Sequence, residues 1–201
     1  MRLGVLGGTF DPVHLGHQII AEEARVKLSL DRVIFVPAGQ PWFKDDVELS
    51  PSADRLEMLR LAVCSNANFH IDTQELERPG PSYTVDTLEE LRSRLGAEVE
   101  LYFIIGLDAL AEMPRWNRPA RLADLCHFAG MGRPAFTDMD VQGLEKAIPG
   151  ISRRIHIVDN VLVDISSSDI RRRVQEGLPI RYLVPEGVER YIREKGLYKT
   201  K

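Results

Sequence analysis

Two stretches near the start of the chain, Leu3-Gly4-Val5-Leu6 and Val33-Ile34-Phe35-Val36, are apolar without alternation. A strand with one wet face alternates, so runs that do not alternate are covered on both faces, as in the interior of a parallel sheet. Between them Ile19, Ile20, Ala21, Ala24 and Leu28 recur at helical spacing. Strand, helix and parallel strand make a right-handed βαβ unit. The alternation continues along the chain. Pro51-Ser52 opens a helix with Leu56, Leu59 and Val63 on its apolar side and Ser50 as its expected N-cap. Phe69-His70-Ile71-Asp72 is a third strand, and a helix runs from Tyr83-Thr84 through Leu88, Leu91 and Leu95. Glu100 to Ile105 is the strongest strand, ended by Gly106-Leu107-Asp108. Helical pieces at 109–112 and 120–125 precede a strand from His127 to Met131. The pattern then gives a helix from Val141 to Ile148, edge strands at 155–158 and 161–163, and helices at 170–176 and 188–195, the last stopped by Gly196.

The predicted fold is therefore α/β: a Rossmann-like, mostly parallel sheet with helices on both faces and a small helical C-terminal portion. One domain is expected over residues 1–201, with the part from about 166 to 201 packed on it. Ligands in such sheets bind beyond the carboxyl ends of the strands. Four stretches follow strands directly and should face one crevice: Gly7-Gly8-Thr9, the Pro37 to Lys44 loop, Gly106-Leu107-Asp108 and Gly132-Arg133.

Composition narrows the classes. An apolar share of 44% and a charged share of 28% are those of an ordinary soluble globule. The net charge of −4 argues against nucleic-acid binding, so an anionic ligand must be met by a local cluster of donors. Cys64 and Cys126 lack metal-ligand spacing and read as small core residues of a reduced protein. No signal-peptide pattern and no apolar run of about eighteen residues is present, so a cytoplasmic location without membrane contact is expected. Nothing in the pattern selects between a monomer and a homo-oligomer.

The residues that could carry chemistry gather at helix starts. After the first strand, Gly7-Gly8-Thr9-Phe10 forms a turn that brings backbone N–H groups and a helix N-terminus towards an anion. His14 and His17 then lie on one face of the following helix, as donors to a phosphate or as polar residues of an exposed first turn. Neither the dinucleotide fingerprint nor the P-loop is present. Ser166-Ser167-Ser168 with Arg171 makes a second anion site; simple capping accounts for one of the three serines. Lys44 is either a neutraliser of a leaving anion or a solvated surface lysine. Asp108 either accepts a ribose hydroxyl or caps a helix. Trp116 either stacks on a flat cation or fills the core. Thr84 and Val85 offer a hydroxyl and backbone N–H groups to a small carboxylate, with capping as the alternative.

The opening Gly7-Gly8-Thr9-Phe10-Asp11-Pro12-Val13-His14-Leu15-Gly16-His17 resembles the signature of the nucleotidyltransferase superfamily marked by a His-x-Gly-His box. Its fuller form is similar to that of the bacterial nicotinate-mononucleotide adenylyltransferases. The likeness recurs in order at Tyr83 to Leu88, Ile105 to Leu110, Met113 to Trp116, Ile165 to Arg171 and Tyr191 to Tyr198.

The resemblance implies transfer of the adenylyl group of ATP to nicotinate mononucleotide, releasing pyrophosphate, in NAD biosynthesis. It implies catalysis by His14, His17, Lys44 and Arg171, with Mg²⁺ carried on the ATP phosphates and no side-chain metal site. ATP would meet Gly7, Gly8, Thr9, Phe10, His17, Gly106, Asp108, Ser166, Ser167, Ser168 and Arg171. Nicotinate mononucleotide would meet Thr84, Val85, Trp116, Lys44 and Arg133. Three departures from the family pattern are visible: Phe43 fills the usual histidine slot before Lys44, Ser168 stands where threonine is common, and Val13 replaces isoleucine. The alternatives are a related adenylyltransferase acting on nicotinamide mononucleotide or phosphopantetheine, and a nucleotide-binding regulatory module without turnover.

Overall fold

The computed structural model describes residues 1–41, 49–134, 136 and 138–199. In chain order the elements are β1 (Arg2–Gly8), α1 (Leu15–Lys27), β2 (Arg32–Pro37), β3 (Gln40–Pro41), α2 (Ser52–Val63) and β4 (Phe69–Ile71). Then come α3 (Gln74–Glu77), β5 (Pro81–Ser82), α4 (Thr84–Leu95), β6 (Glu100–Gly106), α5 (Leu107–Ala111) and α6 (Pro119–Leu125). The chain closes with β7 (His127–Met131), α7 (Val141–Ala147), β8 (Ile155–Val158), α8 (Ser167–Gln175) and α9 (Glu186–Lys195).

Six strands form one sheet in the order β4-β2-β1-β6-β7-β8, and every pair is parallel. Val5 at its centre lies between Ile34 and Phe103. Because successive side chains point to opposite faces, Leu3 and Val5 join Leu101, Phe103 and Ile105 on one face, while Leu6 joins Tyr102 and Ile104 on the other. The first face is covered by α4 to α7 through Val85, Leu88, Leu107, Leu122 and Leu144. The second is covered by α1, α2, α8 and α9 through Ala21, Met58, Leu59, Ile170 and Ile192. That two-sided burial is why the central strands show no alternation. The strand order reverses between β1 and β6, so their carboxyl ends, Gly7-Gly8 and Gly106, flank the crevice where such sheets take ligands.

Several expectations are corrected. Ser50 does not cap α2: Pro51 holds that position, while the Ser50 N–H donates to Asp11 Oδ2 at 3.1 Å. The buried stripe of α2 is Arg55, Met58, Leu59, Ala62 and Val63, with Leu56 at its half-exposed margin. Val161 and Leu162 are exposed and form no strand. Cys126 is buried, but Cys64 is exposed at the end of α2. The helix expected at 109–112 begins earlier, at Leu107. The short α3 and the two-residue pair β3 and β5 lie below the length at which periodicity can be read.

Candidate active site

The crevice is built on the turn that leaves β1. Phe10 takes a left-handed conformation (φ 48°) and buries its ring against His17 (5.0 Å between centroids, edge-on) and Phe35 (5.8 Å). A buried Phe10 ring leaves only its backbone for a nucleotide. His14 occupies the N-cap position of α1, and its N–H donates to His17 Nδ1 at 3.2 Å. In the neutral imidazole this puts the His17 proton on Nε2. The two rings stack at 3.7 Å. Gly16 leaves room for this: a Cβ there would stand 3.0 Å from His14 Nδ1, close enough that the ring would have to give way. The His-x-Gly-His spacing thus has a steric reason.

His14 is 7% exposed, and burial lowers its pKa to about 4, with the nearby Arg133 guanidinium adding to the shift. It is therefore neutral near pH 7. Its Nδ1 is buried without a hydrogen-bond partner, and so is Asp108 Oδ1. Two buried polar atoms beside one crevice are thus left able to accept or donate to a polar ligand.

The second anion site closes on the first. Ser166 caps α8 by accepting the Asp169 N–H at 3.1 Å, the expected role for one of the three serines. Ser167 Oγ donates to the Pro12 carbonyl at 2.9 Å, and Arg171 Nη1 donates to the Asp11 carbonyl at 2.7 Å. Arg171 Nη2 also reaches Ser168 Oγ at 3.4 Å. The N-termini of α1 and α8 are therefore joined at the turn after β1, with Arg171 between them.

Across the switch point Gly106 holds the N-cap position of α5, so Asp108 is not that helix's cap. Asp108 Oδ2 pairs with Arg133 Nη1 at 3.4 Å. The Arg133 loop is set by Asn160, which accepts the Gly132 N–H at 2.8 Å and donates back to its carbonyl at 3.2 Å.

Thr84, Val85 and Trp116 lie on the other face of the sheet. Val85 is fully buried in the core there, so any ligand contact from it runs through its backbone at the start of α4. Trp116 is half-buried and meets Phe103 edge-on at 6.3 Å, and the Phe103 ring lies beside Gly7. The Phe103 ring thus links the indole to the end of β1. Lys44 and Phe43 lie outside the described residues. Among the described residues, no cluster of three or more His, Cys, Asp or Glu is arranged to hold a metal ion, and no helix is long and apolar enough to cross a membrane.

The sequence reading missed the groups that hold the turn in place. Arg55, 2% exposed, donates through Nη1 to the carbonyls of Thr9 and Ala38, both at 2.8 Å, and through Nε to that of Ser50 at 3.1 Å. Asp11, 1% exposed, accepts from Tyr198 at 2.6 Å and from Ser50. The available signal was an arginine in the apolar stripe of α2, at helical spacing with Met58, Leu59 and Ala62.

Residues 5–173 match the model of the cytidylyltransferase-like family. Proteins named as probable nicotinate-nucleotide adenylyltransferases align along nearly their whole lengths. The one from Thermomicrobium roseum is 46% identical over 199 residues, covering 99% of this chain and 92% of that protein. The one from Dehalococcoides mccartyi strain 195 is 43% identical over 198 residues, covering 98% and 97%. The chain belongs to the nicotinate-nucleotide adenylyltransferase family. It is a nucleotidyltransferase, and its solved structural neighbours share the fold. The Plasmodium falciparum nicotinic acid mononucleotide adenylyltransferase complexed with NaAD superposes with a TM-score of 0.78 at 19% identity, covering 98% of this chain and 97% of that one.

The buried imidazole gives a pH signature in this adenylyltransferase. A His14 with pKa about 4 in the fold and an ordinary 6.5 when unfolded binds fewer protons when folded between those values. Stability therefore falls as pH drops from about 6.5 to about 4, and this group adds no slope on either side. Urea midpoints across that range should fall less steeply in His14→Gln than in the wild type. Equal slopes would contradict the burial of a neutral His14.

Proposed function

We infer that the chain transfers the adenylyl group of ATP to nicotinate mononucleotide, giving nicotinate adenine dinucleotide and pyrophosphate, a step of NAD biosynthesis. The observation that carries the reading is the joined pair of helix N-termini at the switch point. The stacked His14–His17 pair, with its His14 imidazole neutral, and Arg171 converge there on the turn after β1.

The residue roles follow from chemistry. A phosphate oxygen of the mononucleotide attacks the α-phosphorus of ATP in line, a new P–O bond forms, and the bond to the β-phosphate oxygen breaks. The electron pair of that bond leaves on pyrophosphate. The nucleophile is already an anion, so no base is needed. The protein supplies positioning and charge stabilisation. His17 donates from Nε2–H, His14 donates as a neutral imidazole, and Arg171 adds a permanent charge. Lys44 is assigned to the same charge cluster on its place in the sequence. ATP enters as its Mg²⁺ complex, the ion riding on phosphate oxygens as part of the substrate. Gly7, Gly8, Thr9, Phe10 and the Ser166 to Ser168 start of α8 offer backbone and hydroxyl donors to the triphosphate. Gly106 and Asp108 lie towards the adenosine, where the unpaired Asp108 Oδ1 suits a ribose hydroxyl.

Thr84 and the backbone of Val85, at the positive end of α4, suit the nicotinate carboxylate, with Trp116 against the pyridinium ring and Arg133 towards the mononucleotide phosphate. The opposite-face placement of these residues supports a dinucleotide product lying across the carboxyl ends of β1 and β6. The C-terminal portion from about residue 166 acts within the same domain, because α8 supplies half of the phosphate site. An ATP-dependent step of this kind is assigned to the cytoplasm.

Pyrophosphate release from Mg-ATP should be strong with nicotinate mononucleotide and weak with nicotinamide mononucleotide run in parallel. Release with neither substrate would replace the enzyme by a nucleotide-binding module. His17→Ala should cut turnover by about 10²- to 10³-fold, the usual effect of deleting one preorganised donor to a developing charge. An alanine variant with wild-type turnover would remove His17 from the mechanism.

A further inference from the structure

The Asp11 carboxylate is buried, and each of its oxygens takes one donor: Oδ1 the Tyr198 hydroxyl at 2.6 Å, Oδ2 the Ser50 N–H at 3.1 Å. The carbonyl of the same residue accepts Arg171 Nη1 at 2.7 Å, and the next carbonyl, that of Pro12, accepts Ser167 Oγ. Carboxylate and carbonyl hang on one Cα. The two donors that pin the carboxylate therefore restrain the backbone rotation that would move the acceptor holding Arg171. We propose that Tyr198 is a positioning residue for adenylyl transfer, acting through Asp11 on the Arg171 guanidinium. This rests on the role given to Arg171 above.

The path of the chain supports it. Gly196 ends α9 in the left-handed region (φ 64°), and Tyr198 repeats that conformation (φ 64°), turning the chain end back under the β1 turn. The docking of α9 itself has a separate anchor, the Tyr191 hydroxyl donating to Asp54 Oδ1 at 2.8 Å. A second phenol is not needed to hold the helix. Burial and the neighbouring carboxylate push the Tyr198 phenol up, which keeps it a donor at every pH where the enzyme works. Arg55, whose charge faces Asp11, fixes the Thr9 carbonyl on the other side of the turn.

The test is a double-mutant cycle with kcat expressed per folded molecule. Tyr198→Phe should lower kcat about tenfold, the usual worth of a hydrogen bond to a charged group, with the KM for nicotinate mononucleotide within about twofold of wild type. Tyr191→Phe should lower the melting temperature and leave kcat unchanged. In an Arg171→Ala background Tyr198→Phe should cost nothing further, because its effect runs through that arginine. Wild-type kcat in Tyr198→Phe overturns the proposal. So does the full loss reappearing on top of a slow Arg171→Ala enzyme, an outcome that leaves the role of Arg171 intact. An Arg171→Ala enzyme with undiminished kcat overturns both.

Discussion

A buried guanidinium ties the site together. Arg55 reaches three carbonyls from three segments, Thr9 after β1, Ala38 after β2 and Ser50 before α2, while the Asp11 carboxylate lies opposite as its counter-charge. Burying such a charge is costly, and removing one partner of a buried pair usually destabilises by about 3–5 kcal/mol because the other is left uncompensated. Arginine suits the position because its fork satisfies several acceptors at once and its charge cannot be lost at working pH. The result is a turn in which the carbonyls of Thr9, Asp11 and Pro12 are each held by a donor. Preorganisation of this kind is what lets fixed donors stabilise a developing charge.

The sheet supplies the second constraint. Its order reverses between β1 and β6, so two sets of helices start at the same crevice from opposite faces. α1 and α8 carry histidines, serines and arginine, groups that answer to phosphate. α4 and the Trp116 segment carry a helix N-terminus and an indole, groups that answer to a small carboxylate and a flat cation. One product with a pyrophosphate at its middle and a ring at each end matches that division.

Much of this was legible in the sequence because burial writes itself into periodicity. The non-alternating runs of β1 and β2 announced a sheet covered on both faces, and the serine run at 166–168 announced α8, which begins at Ser167 rather than at the expected Ile170. Other features leave no periodic trace. The pair β3 and β5 is two residues long on each side, and Val161 is a β-branched residue that the fold leaves exposed, its carbonyl bonded to the Asn160 side chain. At the site the histidine box could be read, since its residues are consecutive and Gly16 has a steric cause. Arg55 and Tyr198 could not be paired with it. They lie 44 and 187 residues beyond Asp11, and only the folded chain brings them to one turn. Ser50 shows the same limit, since its N–H is spent on Asp11 while the cap position passes to Pro51.

In the proposed mechanism transfer is direct: the mononucleotide phosphate attacks the α-phosphorus itself, and His14 and His17 only donate to it. The most direct measurement is the stereochemical course with ATP made chiral at the α-phosphorus by one sulfur substitution. A single in-line displacement inverts the configuration in the dinucleotide product, and inversion is the expected outcome. Retention would require two displacements, with the adenylyl group first carried on a side chain such as His14 or His17, and would contradict it.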